Sequence, residues 1–197
     1  MALTSSNDLT LDLQARLLDL AETSIRHGLA QGRACPVAEA DFDATLREPR
    51  ATFVTLRRHG QLRGCIGGLT AHQSLVRDVA EHAYAAAFSD PRFTPLQSDE
   101  LAGLEISISI LSPPEPLTFH DQDDLLRQIR PEVDGLILQA GEKRGTFLPS
   151  VWSQLPRRED FVRELKRKAG LPADYWSDHL VVARYTTAAV GPRTLAT

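Results

Sequence analysis

Cys65 stands in the run Leu62-Arg63-Gly64-Cys65-Ile66-Gly67-Gly68, where the residue types themselves suggest chemistry. A thiol reacts as its thiolate, and a neighbouring cation favours that form. Strand alternation along Gln61–Gly67 puts Arg63, Cys65 and Gly67 on one face, with Leu62, Gly64 and Ile66 on the other. Gly64, Gly67 and Gly68 cost a strand packing and backbone entropy, so they are expected where a ligand or another backbone approaches closely. A helix expected to begin near Thr70 would bring free amides to the same place, and such amides favour an anion. Thiol, cation and helix start together suit a thiolate or a bound anionic ligand. The competing reading is a cysteine that only packs, with Gly64 and Gly67 admitting a helix. No Gly-x-Ser-x-Gly, Ser-x-x-Lys or Cys-x-x-Cys motif is present to name a reaction.

Other residues offer weaker chemistry. In Asp90-Pro91-Arg92-Phe93, Arg92 could clamp a carboxylate or phosphate; equally, Asp90 and Arg92 could bind local backbone in a turn that ends a helix. His82 lies one turn after Asp78, a general-base arrangement, although an exposed i,i+4 pair is the plainer expectation. Gly141-Glu142-Lys143-Arg144-Gly145-Thr146 lacks the Gly-Lys-Ser/Thr ending of a phosphate loop and reads as a turn. The six histidines show no metal-ligand spacing, so no metal is expected, and no cofactor. Basic residues crowd Arg157–Lys168, but Glu159, Asp160 and Glu164 among them favour a solvated helix face over RNA binding.

These residues need elements to hold them. A helix is expected over Leu11–His27, capped by Thr10 and ended by Gly28. Ala51–Arg58 and Gln61–Gly67 read as a hairpin turning at His59-Gly60. A long helix follows, about Ala71–Ser89, opened by the capping-box pattern Thr70-Ala71-His72-Gln73 and closed by Asp90-Pro91. In Leu104–Ser112, Leu104, Ile106, Ile108 and Ile110 alternate with Glu105, Ser107 and Ser109, as in a sheet with one buried face. Asp121–Arg130 and Arg158–Ala169 read as helices, and Gly135–Ala140, Gly145–Leu148 and Leu180–Ala188 as strands. Hairpins and direct returns outnumber crossovers, which predicts an α+β fold, a mainly antiparallel sheet flanked by helices.

Composition bounds the rest. The 197 residues are 42% hydrophobic and 24% charged, enough for a core. A net charge of -4 does not favour coating nucleic acid or an anionic membrane. Two cysteines suggest a reduced, cytoplasmic setting rather than a disulfide scaffold. Met1–Thr10 lacks the pattern of a signal peptide, and no apolar run approaches a membrane span. Residues 1–10 and 191–197 are expected to be flexible ends around a single domain of residues 11–190.

Leu62-Arg63-Gly64-Cys65-Ile66-Gly67 resembles the signature of the AMMECR domain family. The resemblance continues through Ala85–Phe93, Leu104–Ser112, Asp134-Gly135-Leu136, Gly145–Pro149 and Lys168–Leu171, in the family's order. It implies an α+β fold with a larger and a smaller lobe forming a cleft, and a hallmark motif at Cys65. Prokaryotic relatives are often encoded beside a Memo-type protein and a radical SAM protein, the AmmeMemoRadiSam grouping; this chain carries neither the Cys-x3-Cys-x2-Cys motif nor a partner domain. The expectation is a Cys65-dependent enzyme or enzyme partner acting on a small anionic or carbonyl substrate. Arg63, Gly64, Gly67, Gly68, Thr70 and Arg92 would contact that substrate. The alternatives are an adaptor docking on a Memo-like or radical SAM protein and, third, an RNA-binding protein.

Overall fold

Leu104, Ile106, Ile108 and Ile110 are all buried, at 0 to 4% exposure, while Glu105, Ser107 and Ser109 between them are only half-buried. Burying such side chains stabilises by roughly 1.5–3 kcal/mol each, so this alternation locks the strand's facing. The computed structural model describes residues 9–196. Among them it holds five α-helices and eight strands in two four-stranded sheets, and these residues divide into two compact units, residues 9–112 with 188–196 and residues 113–187. The α+β expectation holds, and every registered pairing of strands is antiparallel.

In the first unit, β1 (Thr52–Arg58), β2 (Gln61–Gly67), β3 (Leu104–Leu111) and β8 (Thr187–Thr194) form a sheet in the order β2-β1-β3-β8. Two helices, α1 (Leu11–Gln31) and α3 (Leu75–Phe88), pack on it; α2 (Ala44–Arg47) is a single turn. Leu17, Ile25, Val54, Leu56, Val76, Val79, Ala83, Ile106 and Ile108 lie in the core between them. The predicted hairpin is present, with β2 in its predicted bounds and β1 beginning at Thr52 rather than Ala51. His59 (φ 52) and Gly60 (φ 75) both take the positive φ that a tight hairpin turn requires.

Three local expectations change. First, α1 runs past Gly28 to Gly32, whose left-handed φ of 66 ends it. Gly28 is buried instead, because a β-carbon there would collide with Phe88 and Tyr84 of α3, and its absence lets the two helices meet. Thr10 does cap α1, accepting from the Leu13 amide at 3.3 Å. Second, α3 begins at Leu75 behind Ser74, which makes no side-chain cap, so the capping box at Thr70–Gln73 does not form. The Leu75 amide is satisfied by the Glu48 carbonyl at 2.9 Å, and Gln73 reaches Glu81 instead. Third, the final predicted strand is two. The chain passes from β7 (Val181–Tyr185), in the second sheet, to β8, in the first. Residues 191–194, expected as part of a flexible end, are therefore strand, and Leu195 is 3% exposed. Leu9 is likewise buried, and the flexibility expected of residues 1–8 and 197 falls outside the described residues.

In the second unit, β4 (Glu115–Pro116), β7, β5 (Gly135–Ala140) and β6 (Lys143–Phe147) are ordered β4-β7-β5-β6, with α4 (Gln122–Gln128) and α5 (Arg158–Lys168). Trp152 and Phe161 stack at 3.8 Å in its core, and the Trp152 indole donates to the Asp134 carbonyl at 2.7 Å.

Candidate functional site

β2 is an edge strand, and Cys65 lies on it opposite Thr55 of β1. Thr55 Oγ1 is 3.4 Å from Cys65 Sγ. Gly64 and Ile66, its neighbours, turn to the helix side: Gly64 is buried under Ala86 of α3, and Ile66 packs on the core. Cys65 thus sits on the other face, half-buried, with Thr55 and, one strand further, Ser107 on the paired positions. It belongs to neither hydrophobic cluster, whereas Cys35 packs against the first. Both cysteines are free.

The edge of β2 is covered by the turn after α3. The Cys65 amide donates to Asp90 Oδ2 at 2.9 Å, and Arg92 Nη2 donates to the Cys65 carbonyl at 3.3 Å. Asp90 also accepts from Arg92 Nη2 at 2.6 Å, Arg92 Nε at 2.9 Å and the Arg92 amide at 3.1 Å. Its side chain is 2% exposed. The Arg92 guanidinium, and then the Cys65 and Arg92 amides, hold the Asp90 carboxyl far below the usual carboxylate range against the opposing effect of burial. Both backbone groups of Cys65 that an exposed edge would offer to another strand are thereby spent. Arg92 itself remains 54% exposed along its side chain.

Arg63 departs from simple alternation. The register slips between Leu56 and Arg57, so that Leu56 faces Gly64 while Arg57 faces Leu62, and Arg63 is the extra residue of a bulge. Its guanidinium forms a fork with Glu100, Nε to Oε1 and Nη2 to Oε2, both at 2.8 Å, and donates to the Thr94 carbonyl at 2.9 Å. That fork pulls Glu100 down to about 2. Arg63 and Arg92 also lie over Phe93, at 5.9 and 5.5 Å from the ring centre. Arg63 is thus held by Glu100 rather than aimed at the thiol by strand alternation.

The three glycines separate. A β-carbon on Gly64 would strike the Ala86 carbonyl, and one on Gly67 would strike the Thr52 carbonyl and the Phe53 ring. Protein atoms account for both. Gly68 has no such neighbour; the nearest atom to a β-carbon there is His82 Cε1 at 3.8 Å. Thr70 is exposed and precedes α3 by several residues, so it lies before the helix's free amides rather than among them.

The Asp78–His82 pair is not an exposed surface pair. Asp78 is buried, its side chain 6% exposed, and His82 Nδ1 lies 3.0 Å from Asp78 Oδ2. The basic segment resolves into local pairing: Arg163 with Asp160 and Arg167 with Glu164, both at 2.6 Å. Lys166 is buried and donates to Gln122 at 2.8 Å. Among the described residues no cluster of three or more His, Cys, Asp or Glu could hold a metal, and no helix is long and apolar enough to cross a membrane. Residue reading missed Asp90, Glu100 and Thr55 as parts of the Cys65 environment. The Asp-Pro-Arg run offered an anion clamp at Arg92 or a helix-ending turn, with nothing local to tie Asp90 to Cys65, and Glu100 lies 37 positions from Arg63 with no local pattern to join them.

The AMMECR1 family model matches residues 18–190. A protein of Methanothermobacter thermautotrophicus is 36% identical over 171 residues, covering 86% of this chain and 88% of the relative. A protein of Methanopyrus kandleri is 34% identical over 176 residues, covering 85% and 82%. The crystal structure of an uncharacterized protein from Pyrococcus horikoshii superposes with a TM-score of 0.81 at 31% identity, covering 91% of this chain and 96% of that one. The match runs from within α1 to the core residue Val190 of β8 and takes in the whole Cys65 hairpin and the turn that covers its edge. The chain belongs to the AMMECR1 family.

Proposed function

We propose that Cys65 is the centre of a ligand or reaction site in an enzyme, or enzyme partner, that acts on a small anionic or carbonyl-bearing molecule inside the cell. The observation that carries this reading is the placement of Cys65 outside both hydrophobic clusters, on the sheet face turned from the helices and beside a hydroxyl. A cysteine retained for packing would sit among apolar side chains, as Cys35 does. Thr55 supplies a hydrogen-bond partner to the sulfur. Arg92 is the cation with an exposed side chain beside the Cys65 backbone, suited to the anionic part of a substrate. Gly68 leaves the space of a side chain to a ligand, with His82 Cε1 the nearest atom to a β-carbon there at 3.8 Å, while its amide is engaged by the Thr52 carbonyl at 3.0 Å. Arg63, engaged by Glu100, shapes the strand from the bulge.

The test is alkylation of the folded protein by iodoacetamide across pH, read by mass spectrometry at Cys65 and Cys35 separately. Cys65 is expected to react well before Cys35. A Cys65 thiol inert up to about pH 9, where a free thiol is already ionised, would sink the proposal.

The charge pairing supports a second reading. Arg63 and Arg92 are already matched to Glu100 and Asp90, which suits a surface built for a protein partner as well as an anion clamp. In that reading the protein is an adaptor for a Memo-like or radical SAM protein. Copurification with such a partner that survives Cys65→Ala, with full pathway function, would favour it over catalysis.

A further inference from the structure

A second polar cluster lies at the start of β1 and the first turns of α3. Asp78 Oδ2 accepts from Thr52 Oγ1 at 2.6 Å and faces His82 Nδ1 at 3.0 Å, while Gln73 Nε2 approaches Oδ1 at 3.4 Å. Thr52 Oγ1 is 3.2 Å from the same imidazole nitrogen. Glu81, the other carboxylate nearby, is engaged by Gln73 Nε2 at 2.7 Å. Where Asp78 is the carboxylate, it only accepts hydrogen bonds, and the ring nitrogen that donates to it is Nδ1. In the neutral ring, Nε2 is then the acceptor.

Gly68 supplies the second observation. It takes no positive φ, and the nearest atom to a β-carbon there is His82 Cε1, at ordinary contact distance. Neither backbone strain nor packing therefore demands glycine, unlike at Gly64 and Gly67. What a side chain at position 68 would do is cover the edge of the His82 ring. The imidazole is 19% exposed along its side chain, against 6% for the Asp78 that orients it.

We infer that Asp78 and His82 form a proton-accepting site beside Gly68, which takes a small molecule or water through an O–H group. Nε2 accepts the hydrogen bond of the bound O–H and can take its proton. The O–H bond breaks, its electron pair stays on oxygen, and the imidazolium formed is balanced by the Asp78 carboxylate. Asp78 and Thr52 are positioning residues, since they act through the ring. This inference does not rest on Cys65, and its test uses no cysteine chemistry.

Two measurements on the full chain decide it. Nitrogen-15 NMR of the imidazole is expected to show the proton on Nδ1 in the neutral ring; a proton on Nε2 would overturn the inference. Diethyl pyrocarbonate, followed by mass spectrometry, is expected to modify His82, with exposed His59 and His72 as internal controls. Gly68→Val should slow modification of His82 several-fold and leave the controls and the urea midpoint unchanged. A His82 that resists the reagent while the controls react, or an unaltered rate in Gly68→Val, would count against it. In Asp78→Asn the side-chain amide can donate to Nδ1, so the ring proton is expected to shift toward Nε2. An unchanged tautomer would remove Asp78 from the role, whatever the variant does to stability.

Discussion

At the scale of single residues, Gly64 and Gly68 flank Cys65 yet answer to different constraints. Gly64 is glycine because Ala86 of α3 occupies the space of its side chain, and the obstacle is backbone that cannot rotate away. Gly64→Ala is expected to cost about 2 kcal/mol, the usual scale of overpacking, measured by urea denaturation. Gly68→Ala should stay within about 0.5 kcal/mol of the parent, since its β-carbon meets only an ordinary contact. Equal effects at the two positions would show that the close approach of α3 is not what selects Gly64. Residue types in the sequence were enough to single out this glycine-flanked thiol. They could not say which glycine serves packing and which leaves space, because that depends on atoms of Thr52, Phe53, His82 and Ala86 brought in from other elements.

At the scale of elements, β2 depends on what covers its outer edge. Asp90 joins the turn after α3 to the Cys65 amide and carries the fork from Arg92. Asp90→Ala leaves the Cys65 N–H and the Arg92 cation without their acceptor, and a loss of about 2 kcal/mol is expected. Hydrogen exchange at the Cys65 amide should accelerate in the same variant more than at amides of β3, in the interior of the sheet. Exchange unchanged at Cys65 would mean that the edge is protected by something other than Asp90. β2 itself was legible in its sequence bounds, because the positive-φ turn at His59-Gly60 and the run of strand formers are local signals. The bulge at Arg63 was not, since register is a property of two strands together. The start of α3 was misread for a related reason: a capping box is a local motif, but here the Glu48 carbonyl from another segment takes the first amide.

At the scale of the whole molecule, the ion pairs around the Cys65 strand set a pH window. Glu100 and Asp90 are both held below their ordinary values, chiefly by hydrogen bonds from Arg63 and Arg92 respectively. A carboxyl whose folded pKa is depressed contributes stability that is fully present above its unfolded value and lost as pH falls through the folded one. Stability is therefore expected to decline as pH drops from the ordinary Glu value of 4.5 toward about 2. Glu100→Gln should flatten that decline in chemical denaturation curves taken across the window; an identical pH dependence would show that other carboxylates govern acid unfolding. β8 matters on this scale too. It returns the chain to the first sheet, and Leu195 beyond it is 3% exposed. Leu195→Ala is expected to cost about 2–3 kcal/mol, as for other buried leucines. No loss would mean that the end of the chain frays in solution.

By itself the sequence determined the α+β class, the hairpin that carries Cys65, the buried stripe of β3 and the family resemblance. All of these are written in local periodicity, turn residues or motif order, which survive without knowledge of what lies across the fold. Tertiary structure alone decided what surrounds the thiol. It matched Arg63 to Glu100, laid Asp90 and Arg92 along the edge of β2, buried Asp78 of the Asp78–His82 pair against Thr52, and divided the last predicted strand between two sheets. Such pairings join residues far apart in the chain, or depend on the register between strands. Their energy comes from geometry that exists only once the sheet and helices have packed.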